Sequence, residues 1–279
     1  MTGKRARNRR RESGLLLVPC LSVLLMCGAA AQKVSAQHAQ LELLAGPSAS
    51  AGQIQLGVHF ILEKGWHIYW TNPGDSGQPP EFHWQLPPGF AAGAIQWPHP
   101  ERMQNGANAD YGYHDETLLL VSLQAPPNYP GRPADIALDA KWLICREVCI
   151  PGHAQLHLNL PGAGAKEDPN VTQLFNSARK LLPSPLPRSW RARTESLNDT
   201  FVLTIQAGSS LQKAEFFPLE AEQIENGATQ NVRPLAKGVQ ITLRKSDQLL
   251  KPLAHLKGVV VLEGANAYAI DAPVIKKKK

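Results

Sequence analysis

The sequence predicts an all-β protein built as two small β-sandwiches joined by a short helix and a proline-rich linker. Three observations predict it. Short apolar/polar alternations fill residues 38–160, with Pro/Gly turns between them. A single stretch of helical spacing, residues 166–182, follows and stops at Pro183, Pro185 and Pro187. Strand patterns then resume over residues 190–275. Many short strands with regular turns are the pattern of sandwiches.

The chain opens on a three-part segment. Lys4, Arg5, Arg7, Arg9, Arg10 and Arg11 form a basic start, residues 14–31 are almost wholly apolar, and Val34-Ser-Ala36 offers small residues before Gln37. This is the layout of a cleaved secretory leader over residues 1–36. A retained membrane anchor is the alternative reading, because the apolar run is close to the ~20 residues that span a bilayer. The expected location is the periplasm or another exported compartment.

The first sandwich is expected over residues 37–163. Gln53–Phe60 alternates as a half-buried strand does, and Thr117–Leu123, Ala134–Trp142 and Ala154–Leu160 read as further strands. The loops are marked by Asn72-Pro-Gly-Asp-Ser-Gly77, Pro87-Pro-Gly89 and Pro130-Gly-Arg-Pro133. Residues 164–189 hold the helix and linker. Asp168 can cap the helix, Pro169 suits its first turn, and Val171, Leu174, Phe175, Ala178, Leu181 and Leu182 recur on one side. The second sandwich, residues 190–279, is read from Thr200–Gln206, Val239–Arg244, Lys257–Glu263 and Ala267–Ala272. Its run Gly258-Val-Val-Val-Leu262 reads as a central buried strand, and a binding or spacing role is expected for this half.

Charge excludes one class of partner. The formal net charge is +6, but seven of the 29 Lys/Arg and only one of the 23 Asp/Glu lie in residues 1–36. The remainder is balanced, with no basic domain or stripe, so no nucleic-acid partner is expected. The tail Lys276–Lys279 reads as a solvated end. No nucleotide-binding loop, hydrolytic triad or clustered carboxylate pair is legible.

The chemistry centres on cysteine. Of four cysteines, Cys20 and Cys27 fall in the leader, which leaves Cys145-Arg-Glu-Val-Cys149. On one straight strand these two would sit ~13 Å apart, whereas a disulfide needs Cα atoms within roughly 7 Å. A hairpin with Arg146, Glu147 and Val148 at its tip would bring them to ~4.5–5.5 Å; a helical turn would also serve. Trp142-Leu-Ile144 and Ile150 favour strands. The tip lacks the Gly or Asn that relaxed turns prefer, which points to a labile couple. The spacing leaves three readings open: a redox pair, a structural disulfide, or a copper or zinc site formed by Cys145, Cys149 and His153. In the first two no cofactor is needed beyond the disulfide itself.

Three segments together resemble a known family: Gly65-Trp-His-Ile-Tyr-Trp-Thr-Asn-Pro-Gly-Asp-Ser-Gly77, then Ile95-Gln-Trp-Pro-His-Pro-Glu101 with Tyr111-Gly-Tyr113, then Cys145-Arg-Glu-Val-Cys-Ile-Pro151. They are similar to the N-terminal periplasmic domain of the DsbD/ScsB thiol:disulfide interchange proteins, over about residues 40–160. The resemblance implies an immunoglobulin-like sandwich carrying its cysteines on a hairpin. It implies electron relay to exported thioredoxin-like or disulfide-isomerase proteins, as in cytochrome c maturation or disulfide reduction. Cys149 matches the cysteine that attacks the partner, and Cys145 the one that resolves the mixed disulfide. Nothing in this sequence matches the family's membrane domain or its C-terminal thioredoxin-like domain. A membrane-embedded electron donor acting in trans is therefore expected.

Around the pair, alternation puts Trp66, Ile68 and Trp70 on one face and His67 and Tyr69 on the other. The first set reads as core, the second as lining the cysteine site. The family shields its cysteines with an aromatic cap loop, for which Asn105–Tyr113, with Tyr111 and Tyr113, is the candidate. Asp75 and Glu147 are the carboxylates placed to tune thiol protonation, with plain solvated loop acids as the alternative.

Overall fold

The computed structural model describes residues 1–3, 33–47, 53–127, 129, 131–160, 162 and 166–276. Most of the expected leader lies outside these residues. The chain from Ala31 onward forms one compact unit, which holds both sandwiches.

The first sandwich runs, in chain order, through β1 (Lys33–Ala36), β2 (Ala39–Ala45), β3 (Gln53–Leu62), β4 (His67–Gly74), β5 (Glu81–Gln85), β6 (Ala91–Gln96), β7 (Glu101–Asn105), β8 (Asn108–His114), β9 (Glu116–Gln124), β10 (Ala134–Cys145) and β11 (Cys149–Leu160). One sheet has the order β1-β2-β3-β9-β6 and the other β11-β10-β4-β8-β7, with β5 also paired to β10. The core between them takes Leu41, Leu43, Val58, Phe60 and Leu119 from one sheet and Ile68, Trp70, Leu138 and Trp142 from the other. The strands expected from alternation all form. Strand β1 contains Val34–Ala36, the expected cleavage motif, and pairs with β2 from Lys33↔Glu42 to Ala36↔Ala39.

Strand β9 shows why alternation is blurred in places. Thr117–Val121 are buried at every position. Leu119 and Leu123 face the sandwich core, whereas Leu118 and Leu120 lie under the helix α1 (Pro169–Leu181) with Phe175 and Ala178. The helix begins as its sequence predicts: the Asp168 carboxylate accepts from the Asn170 N–H at 2.8 Å, with Pro169 next. It is not a free linker, because Phe175 is fully buried. Room for that ring comes from Gly46 and Gly57, where an added Cβ would fall 2.5 and 2.9 Å from it.

The second sandwich comprises β12 (Ser184–Pro185), β13 (Arg191–Ser196), β14 (Thr200–Gln206), β15 (Ala214–Pro218), β16 (Asn231–Leu235), β17 (Gly238–Arg244), β18 (His255–Leu262) and β19 (Asn266–Lys276). The strand path is β15-β18-β19-β13-β14-β17-β16, with β12 paired to β19. Strand β19 pairs with β18 up to Pro273 and with β13 from Val274 onward, so it passes from one layer to the other. Its core gathers Phe201, Leu203, Val239, Ile241, Val260 and Leu262.

The apolar run on β18 is buried on both faces, as the sequence suggests. Val260 and Leu262 face the second core, whereas Val259 and Val261 join the first sandwich's core cluster together with Phe217. The two sandwiches are thus packed directly. Trp70 and Tyr111 both meet the Phe217 ring edge-on, at centroid distances of 6.4 and 5.3 Å.

Candidate functional site: the Cys145–Cys149 hairpin

Strands β10 and β11 pair without interruption from Ala134↔Leu160 to Cys145↔Cys149. The hairpin tip is Arg146, Glu147 and Val148, with the Arg146 N–H donating to the Val148 carbonyl at 3.3 Å. Register alone therefore sets the two cysteines face to face, with Cα atoms 4.2 Å apart, and they are joined as a disulfide. The two sulfurs differ in access: Cys145 is 3% exposed, whereas Cys149 is exposed.

The other edge of β10 meets β4 only at its end, through Ile144↔Ile68 and Cys145↔His67. Partners in register point to the same face of a sheet. Ile68 lies in the core, so His67 and Cys145 face outward together. The next register pair is His67↔His114, which places His114 on that outer face as well. Tyr69 completes the group, its hydroxyl 3.5 Å from Cys149 Sγ. The sulfur of a disulfide carries no proton, so the tyrosine O–H is the donor. The His67 and Tyr69 rings meet edge to face at 5.2 Å. Burial pushes the Tyr69 phenol up, opposed by Ser76. Burial also lowers the His67 imidazole, with Asp110 acting against it and His114 with it. The His67 Nε2 is buried with no hydrogen-bond partner.

Residues 38–161 match the family model described as thiol:disulfide interchange protein DsbD, N-terminal. The first sandwich belongs to the DsbD N-terminal family. Among solved structures, the N-terminal periplasmic domain of ScsB from Proteus mirabilis superposes with a TM-score of 0.65 at 18% identity, covering 85% of this chain and 93% of that one. That likeness extends through both sandwiches and supports the fold. The periplasmic chaperone SfaE overlaps at a TM-score of 0.21 and 8% identity, which carries no structural argument. No curated protein matches the chain. Among the described residues no helix is long and apolar enough to cross a membrane.

In this DsbD-type domain the cover over the site differs from the expectation. Tyr111 and Tyr113 do not line the cysteines. Tyr113 pairs in register with Ile68, so both point into the core, and Tyr111 shares that face by the period of two. Tyr111 is fully buried, and its hydroxyl donates to Asn226 Oδ1 of the second sandwich at 3.0 Å. Tyr113 donates to the Pro98 carbonyl at 2.8 Å. Burial pushes both phenols well up. The segment lying on Tyr69 is instead the turn after β4. At Gly77 (φ +83°) an added Cβ would sit 2.1 Å from Tyr69 Cζ. In the sequence this stretch is a turn that closes the family-like segment Gly65–Gly77, and nothing local marks it as the cover over Tyr69.

Asp75 is exposed, but its carboxylate is engaged in the turn and not free in solvent. Its carboxylate accepts from the Ala109 N–H at 2.7 Å and from Asn226 Nδ2 at 2.8 Å. Glu147 is exposed at the hairpin tip. His153 does not join the cysteines. The chain does not fold back at Pro151-Gly152; β11 continues, which leaves His153 four residues and ~13 Å from Cys149, paired with Asp139 at 3.0 Å. No group of three or more His, Cys, Asp or Glu among the described residues is arranged to hold a metal ion.

One arrangement went unread in the sequence. The Arg146 guanidinium lies over the Trp66 ring, 5.1 Å from its centroid, and His38 stacks on that ring at 4.0 Å. This stack ties the hairpin tip to the sandwich body. Three residues far apart in sequence leave no local signal for it.

Proposed function

We propose that the protein is an exported thiol:disulfide relay that passes electron pairs through Cys145 and Cys149 to partner proteins. The observation that carries the reading is the unequal access of the two sulfurs, Cys149 exposed and Cys145 buried. A relay needs one cysteine that a partner can reach and one that only its neighbour can reach.

In the reduced protein the Cys149 thiolate attacks one sulfur of a partner disulfide. A Cys149–partner bond forms, the partner's S–S bond breaks, and the departing partner thiolate takes a proton from solvent. Cys145, as thiolate, then attacks Cys149 Sγ. The intramolecular disulfide forms, the second partner thiolate leaves and is protonated, and two electrons have moved to the partner. The register that holds both Cα atoms 4.2 Å apart keeps this second step intramolecular. A membrane-embedded dithiol donor, acting in trans, restores the reduced pair by the same exchange in reverse order. The step runs on the disulfide alone.

Thioredoxin-like and disulfide-isomerase proteins of the periplasm fit as acceptors, in disulfide reduction or cytochrome c maturation. Family membership and the hairpin support this class of partner. The leader-like start of the chain supports export.

The test is trapping together with redox titration. Cys145→Ala should accumulate mixed disulfides through Cys149, and Cys149→Ala should accumulate none. The wild-type pair should have a potential between about −180 and −270 mV, the range of exchange proteins. A value below about −300 mV with no trapped partner would mark a structural disulfide and end the relay reading.

A further inference from the structure

The loop lying on the cysteine site is anchored from the other sandwich. Asn226 is 6% exposed and every polar group of its side chain is engaged. Its Nδ2 donates to Asp75 Oδ1 at 2.8 Å, and its Oδ1 accepts from the Tyr111 hydroxyl at 3.0 Å. Its carbonyl accepts from Arg102 Nε at 3.1 Å and Nη2 at 2.6 Å. Asp75 in turn accepts from the Ala109 N–H, and Ser76 donates its N–H and hydroxyl to Asp110 at 2.9 and 2.8 Å. Gly77 then rests on the Tyr69 ring, and Tyr69 reaches Cys149. Contacts therefore run without a break from the second sandwich to the sulfur.

We propose that Asn226 is a positioning residue for the redox pair: through Asp75 and the turn to Gly77 it holds Tyr69 against Cys149, and so the second sandwich sets the redox poise of the first. The physical reason lies in the reduced state. When the S–S bond is reduced, the Tyr69 O–H is placed to donate to a thiolate at Cys149. A hydrogen bond to the charged form favours that form. Stabilising the reduced form makes the disulfide easier to reduce. Asn226→Ala removes the anchor of the turn and leaves Asp75 Oδ1 and the Tyr111 hydroxyl without their partner. Tyr69 loses its backing, and the balance shifts toward the disulfide.

The consequence for exchange rests on the relay reading, but the primary readout is the potential of the pair. The experiment equilibrates the folded protein with glutathione buffers and counts alkylated thiols. Asn226→Ala should lower the equilibrium constant for reduction by about tenfold, the scale of one hydrogen bond to a charged group, and Tyr69→Phe should lower it to a similar extent. The swap Asn226→Asp with Asp75→Asn reverses donor and acceptor; it should restore the wild-type value and guards against loss of fold in the single variant. Gln104→Ala removes a different contact between the sandwiches, to the Gly227 carbonyl at 3.1 Å, and should leave the constant unmoved. If Asn226→Ala and the swap both match wild type while Cys145→Ala still traps partners, the positioning role is wrong and the relay stands. If Gln104→Ala shifts the constant as far as Asn226→Ala, docking in general and not this anchor is responsible, and the proposal fails. If Cys145→Ala traps nothing and the wild-type potential lies below the exchange range, both readings fall.

Discussion

The hydroxyl of Tyr69 donates to Cys149 Sγ across 3.5 Å, although the two residues lie 80 positions apart in the chain. Tyr69 owes its place to β4 and Cys149 to the start of β11, with the end of β10 between them in the sheet. A fully buried tyrosine therefore serves an exposed sulfur.

Removing that hydroxyl should slow Cys149 without unfolding the domain. Tyr69→Phe keeps the ring under Gly77 and deletes only the donor. The alkylation rate of reduced Cys149 near neutral pH should fall about three- to tenfold, as expected for one lost hydrogen bond to a thiolate. The rate with iodoacetamide, followed by mass, checks this. An unchanged rate would mean that the contact has no role in the reduced state.

Stability should depend on His67 in a defined direction. Burial lowers its imidazole from the ordinary value of 6.5, so the unfolded chain binds this proton more readily than the folded one. Stability then rises with pH between the two values. The contribution is fully present above pH 6.5 and is lost as pH falls through the lowered folded value. Urea midpoints measured from about pH 7.5 down to about 4.5 should decline, and His67→Gln should flatten that part of the curve. NMR titration of the ring should place its midpoint below 6.5.

Trp66 should matter for stability more than its position beside the site suggests. It is 5% exposed, with His38 stacked on the ring and Arg146 over it. Trp66→Ala should cost about 3–5 kcal/mol, read as a drop in the urea midpoint of the oxidised protein. Arg146→Gln keeps the tip polar, removes only the cation over the ring, and should cost about 0.5–1 kcal/mol.

The helix should be part of the folded unit and not a passive connector. Phe175→Ala empties the pocket bounded by Gly46, Gly57 and Leu118, at a cost of about 3–5 kcal/mol. Hydrogen exchange should speed up across Pro169–Leu181 more than across the cysteine hairpin. Equal change in both would show that the helix has no local unfolding step of its own.

Much of this protein is legible in its sequence because the determining forces are local. Period-two alternation specifies strands such as β14, Thr200–Gln206, and capping by Asp168 and Pro169 specifies the start of α1. Covalent geometry requires a bend between Cys145 and Cys149 if they bond, and strand-forming neighbours make that bend a hairpin. Alternation likewise puts Trp66, Ile68 and Trp70 on the core face and leaves His67 and Tyr69 for the other.

The tertiary structure decided what local rules cannot reach. Register across β4 and β8, not composition, turned Tyr113 into the core and left His114 on the site face. The continuing strand β11 carried His153 away from the cysteines. Asp75 was claimed by Asn226 from 151 residues away, and Tyr111 by the same side chain. Alternation reports which residues share a face but not which face meets a second domain. Such partners come together only when two sandwiches distant in sequence pack against each other, and sequence period carries no information about that contact.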